Sequence, residues 1–271
     1  MISIVTLTGF KHVLKPTIFP DGTSQVWKLP DEVFASKELE ITWNFEAERE
    51  IIDLLSLREL LPEHEYTWDL HIPFMPYARQ DKDVSNTSTF NLKVLAGLIN
   101  SLVCREVTSV DVHNPVHTRE LIFSFRNIEV TELHKLLIKE NNYCAVVFPD
   151  AGAQARYGHN LDVPTIVCDK TRDQLTGNIT GHRILSILTS STDPDNFQVN
   201  GRVLIIDDLC DGGATFISVA RLLHEVLPSV TVDLYVSHGV FSKGRIHLLD
   251  NGINYLYTTN SLTKNGDGYE V

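Results

Sequence analysis

Apolar runs of strand length alternate with stretches of helical period along most of this chain. Residues 67–73 (TWDLHIP) predict a strand, and 88–102 (STFNLKVLAGLINSL) predict an amphipathic helix with Ser88 as a candidate cap. A strand is expected at 106–113, a helix at 132–140 and a short, wholly apolar strand at 144–148 (CAVVF). Further strands are expected at 165–168, 183–188, 203–206 and 231–236, with helices at 213–227 and 245–250. Strands written as unbroken apolar runs, with helices between them, belong to parallel sheets covered on both faces. The pattern runs twice, which predicts an α/β protein of two domains, residues 1–128 and 129–271. Residues 189–200 (TSSTDPDNFQVN) are polar and broken by Pro194, the composition of a surface loop.

Composition narrows the classes. The chain is 43% hydrophobic and 21% charged, which excludes a disordered protein. It lacks an apolar run long enough to span a bilayer, and MISIVTLTGFKHV reads as mature sequence rather than a signal peptide. Cys104, Cys144, Cys168 and Cys210 form no C-x-x-C pair, and three of them sit in or beside apolar runs. Buried thiols in a reducing compartment fit them best, so a cytoplasmic location is expected. The net charge of −12 argues against a nucleic-acid partner, while leaving room for anionic small substrates held by backbone N–H groups, a few local cations and Mg²⁺.

The chemistry concentrates after the strands. At 203–215 (VLIIDDLCDGGAT) an apolar strand runs into Asp207 and Asp208, then a Gly-rich turn, then a helix. Gly212 and Gly213 permit a tight turn and close backbone approach. The free N–H groups of Asp211, Gly212, Gly213, Ala214 and Thr215 suit a phosphate, and the two carboxylates suit ribose hydroxyls or a metal-bound diphosphate. An acidic strand-end loop that merely caps the next helix is the structural alternative. In 72–82 (IPFMPYARQDK), Arg79 offers a planar donor fork for phosphate and Gln80 an amide for a nucleotide; alternatively, Arg79 pairs with Asp81 or Asp83. His113 ends a strand (VDVH), where a histidine is more often structural than a ligand. Pro115 lies between His113 and His117 and disfavours a regular helix there, so no zinc pair is expected. Asp150, in VFPDAGAQAR, suits a ligand contact; the plainer alternative is a helix cap after a strand, and the two roles can coexist. Lys170 and Arg172, at alternate positions after a strand, suit one transferred phosphoryl group or a solvated basic strand end.

The 203–215 segment resembles the phosphoribosyl diphosphate (PRPP) binding motif of type I phosphoribosyltransferases and PRPP synthases. The segments at 72–82, 110–113, 147–156, 167–172 and 237–242 (SHGVFS) resemble, in order, elements of the ribose-phosphate diphosphokinases, the PRPP synthases. That resemblance runs from about residue 17 to 260. It implies two phosphoribosyltransferase-like domains, each a mainly parallel sheet flanked by helices. It also implies transfer of the diphosphoryl group of MgATP to the 1-hydroxyl of ribose 5-phosphate, giving PRPP and AMP. Phe19, Asp21, Arg79, Gln80 and His113 would contact ATP; His113 and Asp150 would lie nearest Mg²⁺. Asp207 and Asp208 would hold the ribose hydroxyls, the 211–215 turn the 5-phosphate, and Lys170 and Arg172 the moving diphosphoryl group. The family further implies a homo-oligomer, a dimer or hexamer, whose ATP site is shared between subunits. The chain departs from the pattern at Thr23, where Glu is usual, at Gly212, where Thr is usual, and in the longer stretch 173–199. A PRPP-consuming phosphoribosyltransferase and a non-catalytic PRPP synthase-associated subunit are the competing expectations.

Overall fold

Most of the apolar runs become strands of two six-stranded sheets, one in each of the two units into which the chain divides, Met1–Glu129 and Val130–Val271. The structure is a computed structural model that describes residues 1–83, 85, 87–172, 179–188 and 199–262, with 170–172 and 179–180 in backbone alone.

The first unit runs β1 (Ile2–Thr6), β2 (Lys11–Val13), β3 (Thr17–Ile18), β4 (Ser24–Gln25), α1 (Asp31–Ala35), β5 (Glu38–Trp43), α2 (Glu50–Leu60), β6 (Thr67–Ile72), α3 (Asn91–Asn100), β7 (Glu106–Val110), α4 (Pro115–Leu121) and β8 (Phe125–Ile128). Its sheet has the order β2-β1-β5-β6-β7-β8. Strands β5 to β8 are parallel, whereas β1 pairs antiparallel with both β2 and β5. On α3 the buried residues Leu92, Leu95, Ala96 and Ile99 fall one helical turn apart and form the stripe that meets the core. Ile41, Trp43, Trp68, Leu70 and Ile72 are buried with them, each large side chain worth about 1.5–3 kcal/mol against exposure.

The second unit runs α5 (Thr131–Glu140), β9 (Ala145–Phe148), α6 (Ala151–Tyr157), β10 (Thr165–Arg172), β11 (Ile179–Leu188), β12 (Gly201–Cys210), α7 (Ala214–Val226), β13 (Val230–Gly239), α8 (Arg245–Leu249) and β14 (Tyr255–Thr258). Its sheet order is β11-β10-β9-β12-β13-β14, parallel except for the β10–β11 hairpin at one edge. All four residues of β9 are buried, as an interior parallel strand covered on both faces requires. From β9 the chain moves outward to β10 and β11, then crosses to the other side of β9 to lay down β12. Strands β9 and β12 are therefore the point where the winding reverses, and in such sheets the crevice outside their carboxyl ends is where ligands bind.

Several expectations are corrected. Ser88 caps nothing: α3 starts at Asn91 after Phe90, and the Ser88 hydroxyl is bonded to the backbone of Ser85. Pro115 does not break a helix but starts one. It occupies the first turn of α4, where its missing N–H costs nothing, and Asn114 caps the helix by accepting from the His117 N–H at 3.2 Å. Strand β10 runs on past Cys168 to Arg172, because β11 supplies a hydrogen-bonding partner that the local composition does not announce. Of the expected loop at 189–200, residues 189–198 lie outside the described residues.

Candidate functional site

Two clusters of the expected residues form, one in each unit. The first gathers at the carboxyl ends of β9 and β12. Val147 pairs with Ile205, and Asp150 follows two residues after β9 ends at Phe148. Asp150 caps α6, its Oδ1 accepting from the Ala153 N–H at 3.0 Å. Asp208 is 5% exposed, and its carboxylate takes the Arg156 guanidinium from α6 at 3.4 Å. The Asp207 carboxylate accepts from the Asp208 N–H at 2.9 Å, which fixes its direction at the strand end. Helix α6 thus adds an arginine beside the paired acids; its appearance one and a half turns after Asp150 is the only sequence signal for it.

Beyond these acids the chain turns into α7. Gly213 is the residue preceding the helix and lies at φ +79°, in the left-handed region. A Cβ there would also stand 2.6 Å from Leu248 Cδ2, so both conformation and space call for glycine. Gly212 is different, since a Cβ on it would meet Lys243 Cε at 3.5 Å, Cδ at 3.7 Å and Ser242 Oγ at 3.8 Å, all ordinary contacts. Asp211 and Ala214 are exposed, Thr215 is half-buried, and together they leave the first N–H groups of α7 at an open turn with the helix's positive end behind it. Cys210 sits just before this turn, fully buried, and burial followed by the charges of Asp211 and Asp207 pushes its thiol up to about 12. It is therefore not a nucleophile.

Lys170 and Arg172 fall on the end of β10, and their side chains lie outside the described residues. In the backbone Lys170 pairs with His182 of β11. His182 Nδ1 in turn meets Ser218 Oγ at 2.9 Å, one turn into α7. The hairpin that carries the two cations is thus tied to the helix that begins at the Gly-rich turn.

The second cluster lies in the first unit. The 72–82 segment follows β6, and Tyr77 enters the left-handed region at φ +61° to turn it. Arg79 and Gln80 are exposed at its tip, with the Gln80 Oε1 accepting from Asn91 Nδ2 at 2.6 Å. Asp81 is 7% exposed and does not bind Arg79; its carboxylate accepts from Asn114 Nδ2 at 3.0 Å. That bond joins the segment to the residue after His113, so the exposed His113, Arg79 and Gln80 stand on adjoining loops. A cleft of about 280 Å³, lined by Trp43, Phe45, Tyr77, Asn91 and Leu95 among others, opens beside Gln80's partner Asn91. Phe19 and Asp21 sit apart, on the exposed β3–β4 hairpin. There Asp21 Oδ1 accepts from both the N–H and the hydroxyl of Thr23, which holds its carboxyl below the usual range. Thr23, where the resemblance leads one to expect Glu, spends its hydroxyl on this turn.

No family model matches the chain. It is 28% identical over 276 residues to the ribose-phosphate pyrophosphokinase of Mycoplasmopsis pulmonis, covering 96% of this chain and 78% of that protein. It is 26% identical to the ribose-phosphate pyrophosphokinase of Pyrococcus furiosus, covering 90% of this chain and 84% of that protein. Against the enzyme of the same name from Maricaulis maris it is 28% identical and spans 61% of that relative's length. Among solved structures, the phosphoribosylpyrophosphate synthetase of Mycobacterium smegmatis shares its fold, with a TM-score of 0.74 at 21% identity over 94% of this chain and 82% of that one. No helix among the described residues is long and apolar enough to cross a membrane. The chain is a homologue, over most of its length, of the proteins named ribose-phosphate pyrophosphokinase.

Proposed function

We propose that the chain is a ribose-phosphate diphosphokinase that converts ribose 5-phosphate and MgATP to PRPP and AMP. The observation that carries this reading is the arrangement at the β9/β12 winding reversal: two adjacent aspartates, an open glycine turn and a helix amino end, in a homologue of named pyrophosphokinases. Homology to those proteins over 96% of the chain favours PRPP synthesis over PRPP consumption.

The protein's task is to position and to neutralise rather than to form a covalent intermediate. The 1-hydroxyl oxygen of ribose 5-phosphate bonds to the β-phosphorus of ATP as the bond from that phosphorus to the α,β-bridging oxygen breaks. AMP leaves with that oxygen and the hydroxyl proton is released. Asp207 and Asp208 accept from the ribose hydroxyls, with Arg156 paired to Asp208 and directing its carboxylate. The N–H groups of the turn at 211–215 take the 5-phosphate. Arg79 and Gln80 hold ATP, with Phe19 and Asp21 of the hairpin assigned to the nucleotide base. Lys170 and Arg172 meet the charge on the moving diphosphoryl group, the interaction most specific to the transition state.

Mg²⁺, which takes oxygen ligands and keeps much of its shell from substrate phosphates and water, fits the carboxylate of Asp150 directly. His113 fits a place beside the metal-bound phosphates better than in the first shell of so hard a cation. Bound Mg²⁺ would neutralise phosphate charge and polarise the reacting phosphorus. A cytoplasmic homo-oligomer, dimer or hexamer, with the hairpin of one subunit serving the nucleotide of another, completes the reading. The exposed Phe19 and Trp27 on and beside that hairpin support it, as do four cysteines without a disulfide partner.

The test is AMP release by the purified chain with MgATP, with and without ribose 5-phosphate, beside Lys170→Ala. Release that requires ribose 5-phosphate and falls about 10²–10³-fold in a folded Lys170→Ala variant is expected. A wild-type chain that binds MgATP yet makes neither AMP nor PRPP would instead identify a non-catalytic partner subunit.

A further inference from the structure

The turn that begins α7 is built for a phosphate by backbone alone, and its surroundings are acidic. Residues 207–215 contain Asp207, Asp208 and Asp211 and no lysine or arginine. The nearby Arg156 is engaged with Asp208. A phosphate dianion entering this turn needs a cation that the turn itself lacks.

The loop after β13 brings one. The N–H groups of Val240 and Phe241 both donate to the Cys210 carbonyl, at 2.9 and 3.1 Å, so this loop is bonded to the strand end that leads into the turn. Phe241 lies at φ +46°, a strained position for an aromatic residue, and the Gly244 N–H closes the bend by donating to the Phe241 carbonyl at 2.7 Å. Behind it Gly239 makes room: a Cβ there would fall 1.9 Å from Phe241 Cε2. The Arg245 guanidinium covers the Phe241 ring at 5.0 Å. A bend pinned in this way places Ser242 and Lys243 over the phosphate turn. The Lys243 stem runs alongside Gly212, with Lys243 Cε 3.5 Å and Ser242 Oγ 3.8 Å, ordinary contact distances, from where a Cβ on that glycine would stand. Lys243 is exposed, and no ion-pair partner holds it among the described residues.

We infer that Lys243 is a binding residue for the 5-phosphate of ribose 5-phosphate, supplying from the 240–244 bend the side-chain donor and the positive charge that Gly212 and its acidic neighbours do not. The inference rests on the functional reading above. The two positions act together: Gly212 offers no side-chain donor, and the lysine stem lies in contact range of it. A lysine that only covered the glycine with its methylenes, leaving its ammonium to solvent, would be the structural counterpart. Lys243→Met separates the two, because it keeps an unbranched stem and removes the charge.

The experiment compares the full wild-type chain with Lys243→Met and Lys243→Arg, using calorimetric titration with ribose 5-phosphate and steady-state AMP release. Lys243→Met is expected to raise the Kd and KM for ribose 5-phosphate about tenfold, to leave the KM for MgATP and kcat within about twofold, and to flatten the dependence of ribose 5-phosphate binding on ionic strength. Lys243→Arg is expected to recover most of the affinity. In the wild type, ribose 5-phosphate should protect Lys243 from acetylation. An unchanged Kd in Lys243→Met, with a melting temperature equal to wild type, would overturn the inference and leave the stem as cover for the glycine. A loss of MgATP affinity equal to that for ribose 5-phosphate would overturn it too. A wild-type chain that neither binds ribose 5-phosphate nor releases AMP would instead remove the functional reading on which it stands.

Discussion

Two adjacent glycines in the phosphate turn should respond very unequally to the same substitution. Gly213→Ala places a Cβ at φ +79° and 2.6 Å from Leu248 Cδ2, a side chain only 2% exposed. The left-handed conformation costs an L-residue roughly 1–2 kcal/mol. Forcing Leu248 aside in a packed core costs about 1–3 kcal/mol more. The sum, about 2–5 kcal/mol, is a large share of the stability of an ordinary domain and should lower its melting temperature by roughly 6–15 °C. Gly212→Ala adds the same atom where its nearest neighbour is the flexible Lys243 stem at 3.5 Å, an ordinary contact. Its cost should stay within about 0.5 kcal/mol. Urea and thermal unfolding of the two variants, followed by far-ultraviolet circular dichroism and by tyrosine fluorescence, measure the difference. Ribose 5-phosphate titration then shows whether the shifted turn still binds. Equal stability losses in the two variants, or a Gly213→Ala cost below about 1 kcal/mol, would refute the assignment of the turn's shape to Gly213 and its contact with Leu248.

Other expectations follow from single contacts. Asn114→Ala removes both the α4 cap and the donor to the buried Asp81 carboxylate, so about 2–4 kcal/mol should be lost in urea unfolding, with a rise in the KM for MgATP as the Arg79 and His113 loops separate. A loss below about 0.5 kcal/mol would show that this bond does not join the loops. Burial raises the thiols of Cys104 and Cys168 to about 11 and that of Cys210 to about 12. An unfolded thiol ionises near pH 8.5, so above that pH the unfolded state holds fewer protons than the folded one, and stability should fall as pH rises through the folded values. Unfolding midpoints measured from pH 8 to 11 should therefore decline, less so in a Cys→Ala background, and native Cys210 should resist alkylation at pH 8.5 while the denatured chain reacts.

How much of this was legible beforehand differs from element to element. The parallel interior strands were visible because a strand covered on both faces is mostly apolar, as β9 and the Val203–Ile206 run of β12 are. The amino-terminal strands β1 and β5 and the helix α2 were not assigned, although they are buried in part. β1 and β5 do alternate, mostly apolar in and polar out, but over only five and six residues, and α2 carries Glu50, Asp53, Arg58 and Glu59 among its apolar positions. Pro115 shows the same limit: proline inside a helix breaks it and proline in the first turn begins it, and only the capping bond from Asn114 decides which applies.

The candidate site divides along the same line. Residue order alone determined the Gly-rich turn after Asp207 and Asp208, the exposed Arg79 and Gln80, and the placing of Asp150 after an apolar strand, because each lies within a few residues of the element that presents it. Only the tertiary structure decided which of these stand together. The β9–β12 pairing brings the end of β9, which leads into Asp150, beside β12, Arg156 reaches Asp208 from a helix, Asp81 turns from Arg79 to Asn114, and the 240–244 bend lays Lys243 beside Gly212. Each of these joins parts of the chain far apart in sequence. Such meetings are set by strand order and core packing, which local composition does not encode.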